Sequence, residues 1–294
     1  MDVVIEILYT RVIPVLLIMV MTGLGLSLTI ADIKRVIVFP KAATIGLVGQ
    51  LLALPLLAFV LASLLAPSPE IAVGAVILAA CPGGVTSNAY VFAARADIAL
   101  SVTLTAISSV ITVFTIPLLT FAALQIFMEA GERPDLPTVN IFRTLFMLSI
   151  VPIAAGMTLR WRWPAFSESL LERLRHVTVG VLMLLILAAA ISSYEIIREN
   201  LLAAGLLVIA LNLLSMSMGY GLGKAFSLKL KQAITLTYEI GVQNISLSLL
   251  VTLTLIGSQE LAITTLLYAV IMPTTALALI AISHKLFAAA DDSA

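Results

Sequence analysis

The chain has 294 residues, 61% of them hydrophobic and only 11% charged, and its 16 Lys and Arg balance its 16 Asp and Glu. Soluble domains are about 25% charged, so too few charges are present to cover a water-facing surface, and the zero net charge offers no basic footprint for nucleic acid. A single cysteine, Cys81, excludes an intrachain disulfide framework and a cysteine-rich zinc or iron–sulfur site.

Charged residues punctuate the apolar runs and predict nine helices, near 11–30, 41–65, 70–94, 98–124, 137–159, 174–193, 199–223, 230–256 and 260–285. Each is near or above the ~20 residues that a membrane-spanning helix needs. The expected fold class is therefore an all-α polytopic membrane protein with short loops. The segment MDVVIEILYTR carries Asp2 and Glu6 instead of a basic leader, and no small-residue cleavage site follows the first apolar run. That run reads as a permanent helix and not as a signal peptide. Lys34, Arg35, Lys41, Arg95, Arg160, Arg162, Arg173, Arg175, Lys224, Lys229, Lys231 and Lys285 fall on one side, against Arg11, Arg133, Arg143 and Arg198 on the other. Basic loops stay in the cytoplasm, so the expectation is a cell-membrane protein with its N-terminus outside and its C-terminus inside.

Two helices carry their own interruptions. The third contains AACPGGVTSNAY at 79–90, where Pro82, Gly83 and Gly84 are consecutive. Proline removes a donor and collides with the preceding turn, and glycine weakens a helix. The eighth contains YEIGVQNIS at 238–246, with Gly241 beside a polar cluster. Unwound backbone survives at membrane depth only where protein covers it or where it lines a watery cavity. The third helix runs inward and the eighth outward, as in inverted repeats whose broken helices form a transport site. With one helix missing from the front, nine helices divide four plus five, repeat one over 10–128 and repeat two over 136–288.

Glu239 is the one acid within a membrane core, and intramembrane acids are functional by default. No Lys, Arg or His is expected at its depth, which leaves a proton or a bound cation as its partner. Gln50, Thr86, Ser87, Asn88, Ser101, Thr103, Thr105, Gln243 and Asn244 supply neutral polar groups. Ser101 and Thr105, four apart, share a helix face. One carboxylate with hydroxyl and amide oxygens suits a small monovalent cation, and carbonyls freed at 240–243 can add to the set. Half-helices restarting at 85–88 and 243–246 turn amide donors and a positive dipole end toward an anion. Cation and anion sites side by side read as an ion-coupled symporter of an organic anion.

CPGGVTSN, ARADIALSVTLTAIS and EIGVQNISL together resemble the bile acid:sodium symporter family. The resemblance implies two inverted repeats forming a core domain, in which the broken helices cross, and a panel domain. The core would take 37–128, 199–256 and part of 260–288, and the panel 10–30, 137–159 and 174–193. It implies two sodium ions and no organic cofactor. The first ion would be held by Ser87, Asn88, Ser101, Thr105 and Glu239. The second would be held by Gln50, Gln243 and the backbone at Glu239, Ile240 and Val242. Val85, Thr86, Asn244, Ile245 and Met272 fall on the substrate side. There the chain departs from bile-acid-transporting bacterial relatives, which resemble CPGGTASN and have a His-Asn pair where this chain has Ile271 and Met272. Smaller pantoate-like or pyruvate-like carboxylates join bile acid as expected substrate classes.

The alternatives are a proton-coupled organic anion transporter or exporter, a channel, and an intramembrane enzyme. An aspartyl protease needs a second intramembrane acid, a zinc protease needs H-E-x-x-H, and a serine mechanism needs a Ser–His pair. His176 and His284 lie at expected helix ends instead, so an enzyme is not expected. GYGLGK at 219–224 lacks phosphate-loop spacing and reads as helix packing.

Overall fold

Prolines set where the long helices change pitch. The computed structural model describes residues 7–29, 40–134, 138–192 and 194–291. Asp2, Glu6, Lys34 and Arg35, and the margins of the expected helices at residues 30, 37–39, 137 and 193, lie outside these. Three π-helical segments, Leu8–Val12, Gly49–Ala53 and Phe146–Ile150, each end just before a helix whose second residue is proline. Those helices are α1 (Ile13–Ser27), α3 (Leu54–Leu65) and α8 (Val151–Arg162). A proline ring collides with the carbonyl four residues back. For Pro14, Pro55 and Pro152 that carbonyl falls inside the widened turn, which accommodates the ring without ending the helix.

The remaining helices are α2 (Pro40–Val48), α4 (Pro69–Ala80), α5 (Val85–Ala93), α6 (Ile98–Phe127), α7 (Thr138–Leu145), α9 (Pro164–Ser192), α10 (Tyr194–Ala225), α11 (Leu230–Gly241), α12 (Ile245–Leu249) and α13 (Gln259–Asp291). A further π-helical stretch, Leu250–Ile256, continues α12. No strand occurs among the described residues. Among the described residues, six helical stretches are long and apolar enough to cross a membrane: Leu8–Ser27, Pro40–Leu65, Ile98–Phe127, Val139–Arg162, Ala204–Ala225 and Gln259–Ala288. Leu52, Leu56, Val60 and Leu64 form an exposed apolar line at a spacing of four, as do Val110, Phe114 and Leu118. Such lines face acyl chains in a membrane protein and would aggregate in water. The chain is an all-α, multi-pass membrane protein.

The expected helices at 70–94 and 230–256 are each two segments, because the backbone leaves the helical region at Cys81–Gly84 and again at Val242–Asn244. At 12 residues each, α4 and α11 are too short to cross a bilayer core of about 30 Å. Every residue of 71–80 and of 232–241 is buried, so both half-helices are enclosed by protein on all sides. The helix expected at 174–193 begins earlier, at Pro164, because its first turns are amphipathic. Ser167 is buried there, while Glu168, Glu172 and Arg173 face outward.

Helix α1 packs against α8 and α9. A Cβ on Gly156 would lie 2.8 Å from the Leu26 nitrogen, so glycine lets the two backbones touch. Arg160 closes that contact, its guanidinium donating to the Leu26 carbonyl at 2.8 Å. Elsewhere α4 packs against α3, α6 and α13, and α10 against α11 and α13. Gly219 and Gly223 bring α10 against the α11 backbone, where a Cβ would lie within 2.8 Å of Leu236 or Ala233 backbone atoms.

Candidate ion and anion site at the helix crossing

The two breaks meet. Gly83 and Gln243 form an isolated antiparallel bridge. The Gly84 amide donates to the Val242 carbonyl at 2.8 Å and the Asn244 amide donates to the Pro82 carbonyl at 3.1 Å. Backbone groups that the breaks release from helical bonding therefore satisfy one another, as an apolar surround demands. Side chains would prevent this. A Cβ on Gly83 would sit 2.9 Å from Glu239 Oε2, and one on Gly84 would sit 2.8 Å from the Gln243 carbonyl.

Glu239, 3% exposed, stands at this crossing on the last turn of α11. Its Oε1 accepts from Ser87 on α5 and, at 2.5 Å, from Ser101 on α6. Its Oε2 accepts from Thr105 at 2.8 Å. Ser101 Oγ has a second acceptor in reach, Asn88 Oδ1 at 2.7 Å, and Thr105 Oγ1 has the Ser101 carbonyl at 3.1 Å. Each hydroxyl carries one proton, so the cluster holds more acceptors than protons. The ion pair among the described residues, Arg198–Glu195, is exposed and elsewhere. Tyr90 and Tyr238 stack at 6.1 Å and pin α5 to α11 beside the cluster. Asp97 caps α6 and donates its amide to Thr235 of α11 at 2.9 Å, which fixes where Ser101 and Thr105 meet Glu239.

Gln50 reaches the crossing from its π-helical turn, buried to 5% exposure. Its Nε2 donates to the Cys81 carbonyl at 2.9 Å and to Gln243 Oε1 at 3.1 Å, while Gln243 Nε2 donates to the Ile240 carbonyl at 2.7 Å. The Cys81 carbonyl fixes the orientation of the Gln50 amide, since the flipped form would oppose two oxygens. This leaves Gln50 Oε1 buried with no donor. Unpaired buried acceptors are rare in native structures, and a cation ligand is one reason to keep one.

Of the residues expected to face a substrate, Thr86 is exposed and Val85 half-buried at the start of α5. Asn244 caps α12 by accepting from the Leu247 amide at 3.1 Å, and its Nδ2 is left buried without an acceptor. Ile245 and Met272 are buried in the main apolar cluster. Thr103 bonds back to its own helix, at the Ala99 carbonyl. Sequence reasoning missed Asn212 and Tyr268, which converge on the Gly241 carbonyl from α10 and α13, and Thr275, which donates to Asn212 Oδ1. Asn212 was detectable as a lone amide in the run LVIALNLLSM, but its acceptor is backbone and carries no sequence mark.

The sequence matches the profile of the sodium bile acid symporter family over residues 14–200. The chain belongs to that family. Its relatives include an uncharacterised sodium-dependent transporter, YocS, of Bacillus subtilis (strain 168), 32% identical over 231 residues that make up 76% of this chain and 68% of that protein. A probable chloroplastic sodium/metabolite cotransporter of rice is 29% identical, over 78% of this chain and 54% of its own length. The human sodium-dependent organic anion transporter is 27% identical, over 82% of this chain and 63% of its own. The chain thus spans about half the length of several plant and animal relatives that it matches. Sodium bile acid symporter family proteins are transporters and not enzymes.

Proposed function

We propose that the protein is a sodium-coupled secondary symporter of a small organic anion. The observation that carries this reading is Glu239, a buried carboxylate among hydroxyl and amide oxygens at the crossing of two broken helices, with no basic partner among the described residues. A carboxylate at membrane depth costs several kcal/mol unless compensated, and a cation compensates it. The donor set fits sodium, which takes neutral oxygens readily, and the names of the relatives agree with sodium as the coupled ion. A proton would meet the acceptor surplus at Glu239 but would leave Gln50 Oε1 unpaired. Two ions account for both features, one at Ser87, Asn88, Ser101, Thr105 and Glu239, and one at Gln50, Gln243 and the backbone at Glu239, Ile240 and Val242.

The anion would bind next to the cations, where the start of α5 and the unpaired Nδ2 of Asn244 offer donors. Val85, Ile245 and Met272 would give this region an apolar border, with the Thr86 hydroxyl beside it, suited to a carboxylate with a short carbon body. Alternating access would move a core of 37–128, 199–256 and part of 260–288 against a panel of 10–30, 137–159 and 174–193. The packing of α1 on α8 and α9 is consistent with such a panel. The four-plus-five repeats, the cell membrane and an outside N-terminus belong to the same proposal.

The test is thermal unfolding of the detergent-purified chain in NaCl against KCl, then with a panel of organic acids in each salt. Sodium should raise Tm by mass action, and one class of acid should raise it further only when sodium is present, since coupling is reciprocal. Glu239→Ala should remove the sodium response while the protein still inserts and folds. A wild-type Tm indifferent to sodium at every pH would sink the symport reading.

A further inference from the structure

The carbonyls around the second break are not all aimed the same way. Val242 is extended, at φ −111° and ψ 102°, so peptide groups flanking it alternate in direction. The Ile240 carbonyl accepts from Gln243 and the Val242 carbonyl from Gly84, both at the crossing. The Gly241 carbonyl is turned instead toward α10 and α13. There it accepts from the Tyr268 hydroxyl at 2.8 Å and from Asn212 Nδ2 at 3.2 Å. Asn212 Nδ2 also donates to the Tyr268 oxygen at 3.1 Å, and Thr275 donates to Asn212 Oδ1 at 2.6 Å. Asn212 and Tyr268 are both fully buried. The network is closed, and a satisfied buried network holds one geometry firmly.

The first break has a counterpart with one difference. Gln50 donates to the Cys81 carbonyl, 31 residues downstream, and Asn212 donates to the Gly241 carbonyl, 29 residues downstream. Each amide comes from the helix preceding the broken one, and each grips a carbonyl at the point where the helix ends. The oxygen of Gln50 has no partner, whereas the oxygen of Asn212 is filled by Thr275.

We infer that Asn212 and Tyr268 are positioning residues for sodium binding: by fixing the Gly241 carbonyl toward α10 and α13, they turn the Val242 carbonyl, on the other side of an extended residue, toward the ion site. Thr275 acts through Asn212, closing the amide oxygen that Gln50 leaves open for a cation. One clamp is a ligand and the other is a brace. This inference rests on the sodium-symport reading given above.

The experiment is a NaCl titration of Tm for the purified full chain, with KCl holding ionic strength constant. Wild type is compared with Tyr268→Phe, Asn212→Ala, the double variant and Thr264→Val. The last removes a buried hydrogen bond from the same helix, to the Ile71 carbonyl at 3.1 Å, without touching the clamp. Tyr268→Phe should raise the half-saturating sodium concentration roughly fivefold, the equivalent of one neutral hydrogen bond of about 1 kcal/mol. Asn212→Ala should do at least as much. The double variant should fall short of the product of the two, because both donors share one acceptor. Thr264→Val should lower Tm in KCl and leave the half-saturation at the wild-type value. If Tyr268→Phe and Asn212→Ala lower Tm equally in both salts with half-saturation unmoved, the clamp is structural only and the inference falls. Tyr268→Phe keeps its ring and decides the matter alone if Asn212→Ala does not fold. A wild type without any sodium response would overturn the symport reading and this inference together, whereas a wild-type response with unmoved variants overturns this inference alone.

Discussion

Adding one methyl group at Gly83 probes the crossing directly. Its Cβ would stand 2.9 Å from Glu239 Oε2 and 3.1 Å from the Glu239 carbonyl, where ordinary contact begins at 3.4 Å. Neither side can yield cheaply. The carboxylate is held by Ser87, Ser101 and Thr105, and the Gly83 backbone is held by hydrogen bonds on both flanks, from the Gly84 amide and to the Pro82 carbonyl. Overpacking a rigid site costs about 1–3 kcal/mol. If that strain falls on the sodium-bound geometry, Gly83→Ala raises the half-saturating sodium concentration by roughly fivefold to a hundredfold or more. Sodium titration of Tm reads this shift. Gly131→Ala, where a Cβ meets nothing within 4 Å, is the neutral comparison. A Gly83→Ala protein that folds and titrates like wild type would refute the claim that the glycine exists to let Glu239 approach the first break.

Two further outcomes separate the site from its scaffold. Gln50→Leu should lower Tm in KCl, because the Cys81 carbonyl and Gln243 Oε1 lose a buried donor, at about 1–3 kcal/mol. Its sodium titration should weaken yet persist, since the Glu239 cluster is untouched, and an unchanged titration would remove Gln50 from the ion site. Arg160→Ala loses the bond to the Leu26 carbonyl between α1 and α8. That half-buried bond is worth about 1 kcal/mol, or a Tm lower by roughly 2–4 °C, with sodium half-saturation unaffected. A shifted sodium titration in that variant would mean that the α1–α8 contact is coupled to the crossing.

Composition alone determined the solvent: so few charges on so long a chain leave only a membrane. Local chemistry determined the breaks, because Pro82 followed by two glycines cannot hold a helix and Glu239 cannot sit in a lipid-facing run unaccompanied. Those signals are local and survive without a fold. The π-helical turns before Pro14, Pro55 and Pro152 follow from the same steric rule but need the surrounding helix to continue, and no local signal in those runs marks them. Only the tertiary structure decided which groups meet. Gln50 and Gln243 lie 193 residues apart, and their contact depends on how the helix of Gln50 is rotated about its axis and on where the second break falls in space. The clamp at Gly241 was hidden for a further reason. Asn212 and Tyr268 are polar residues whose shared acceptor is a backbone carbonyl, and every residue has one of those. Which carbonyl is left free is fixed by where a helix ends in space, and that is a property of the folded chain.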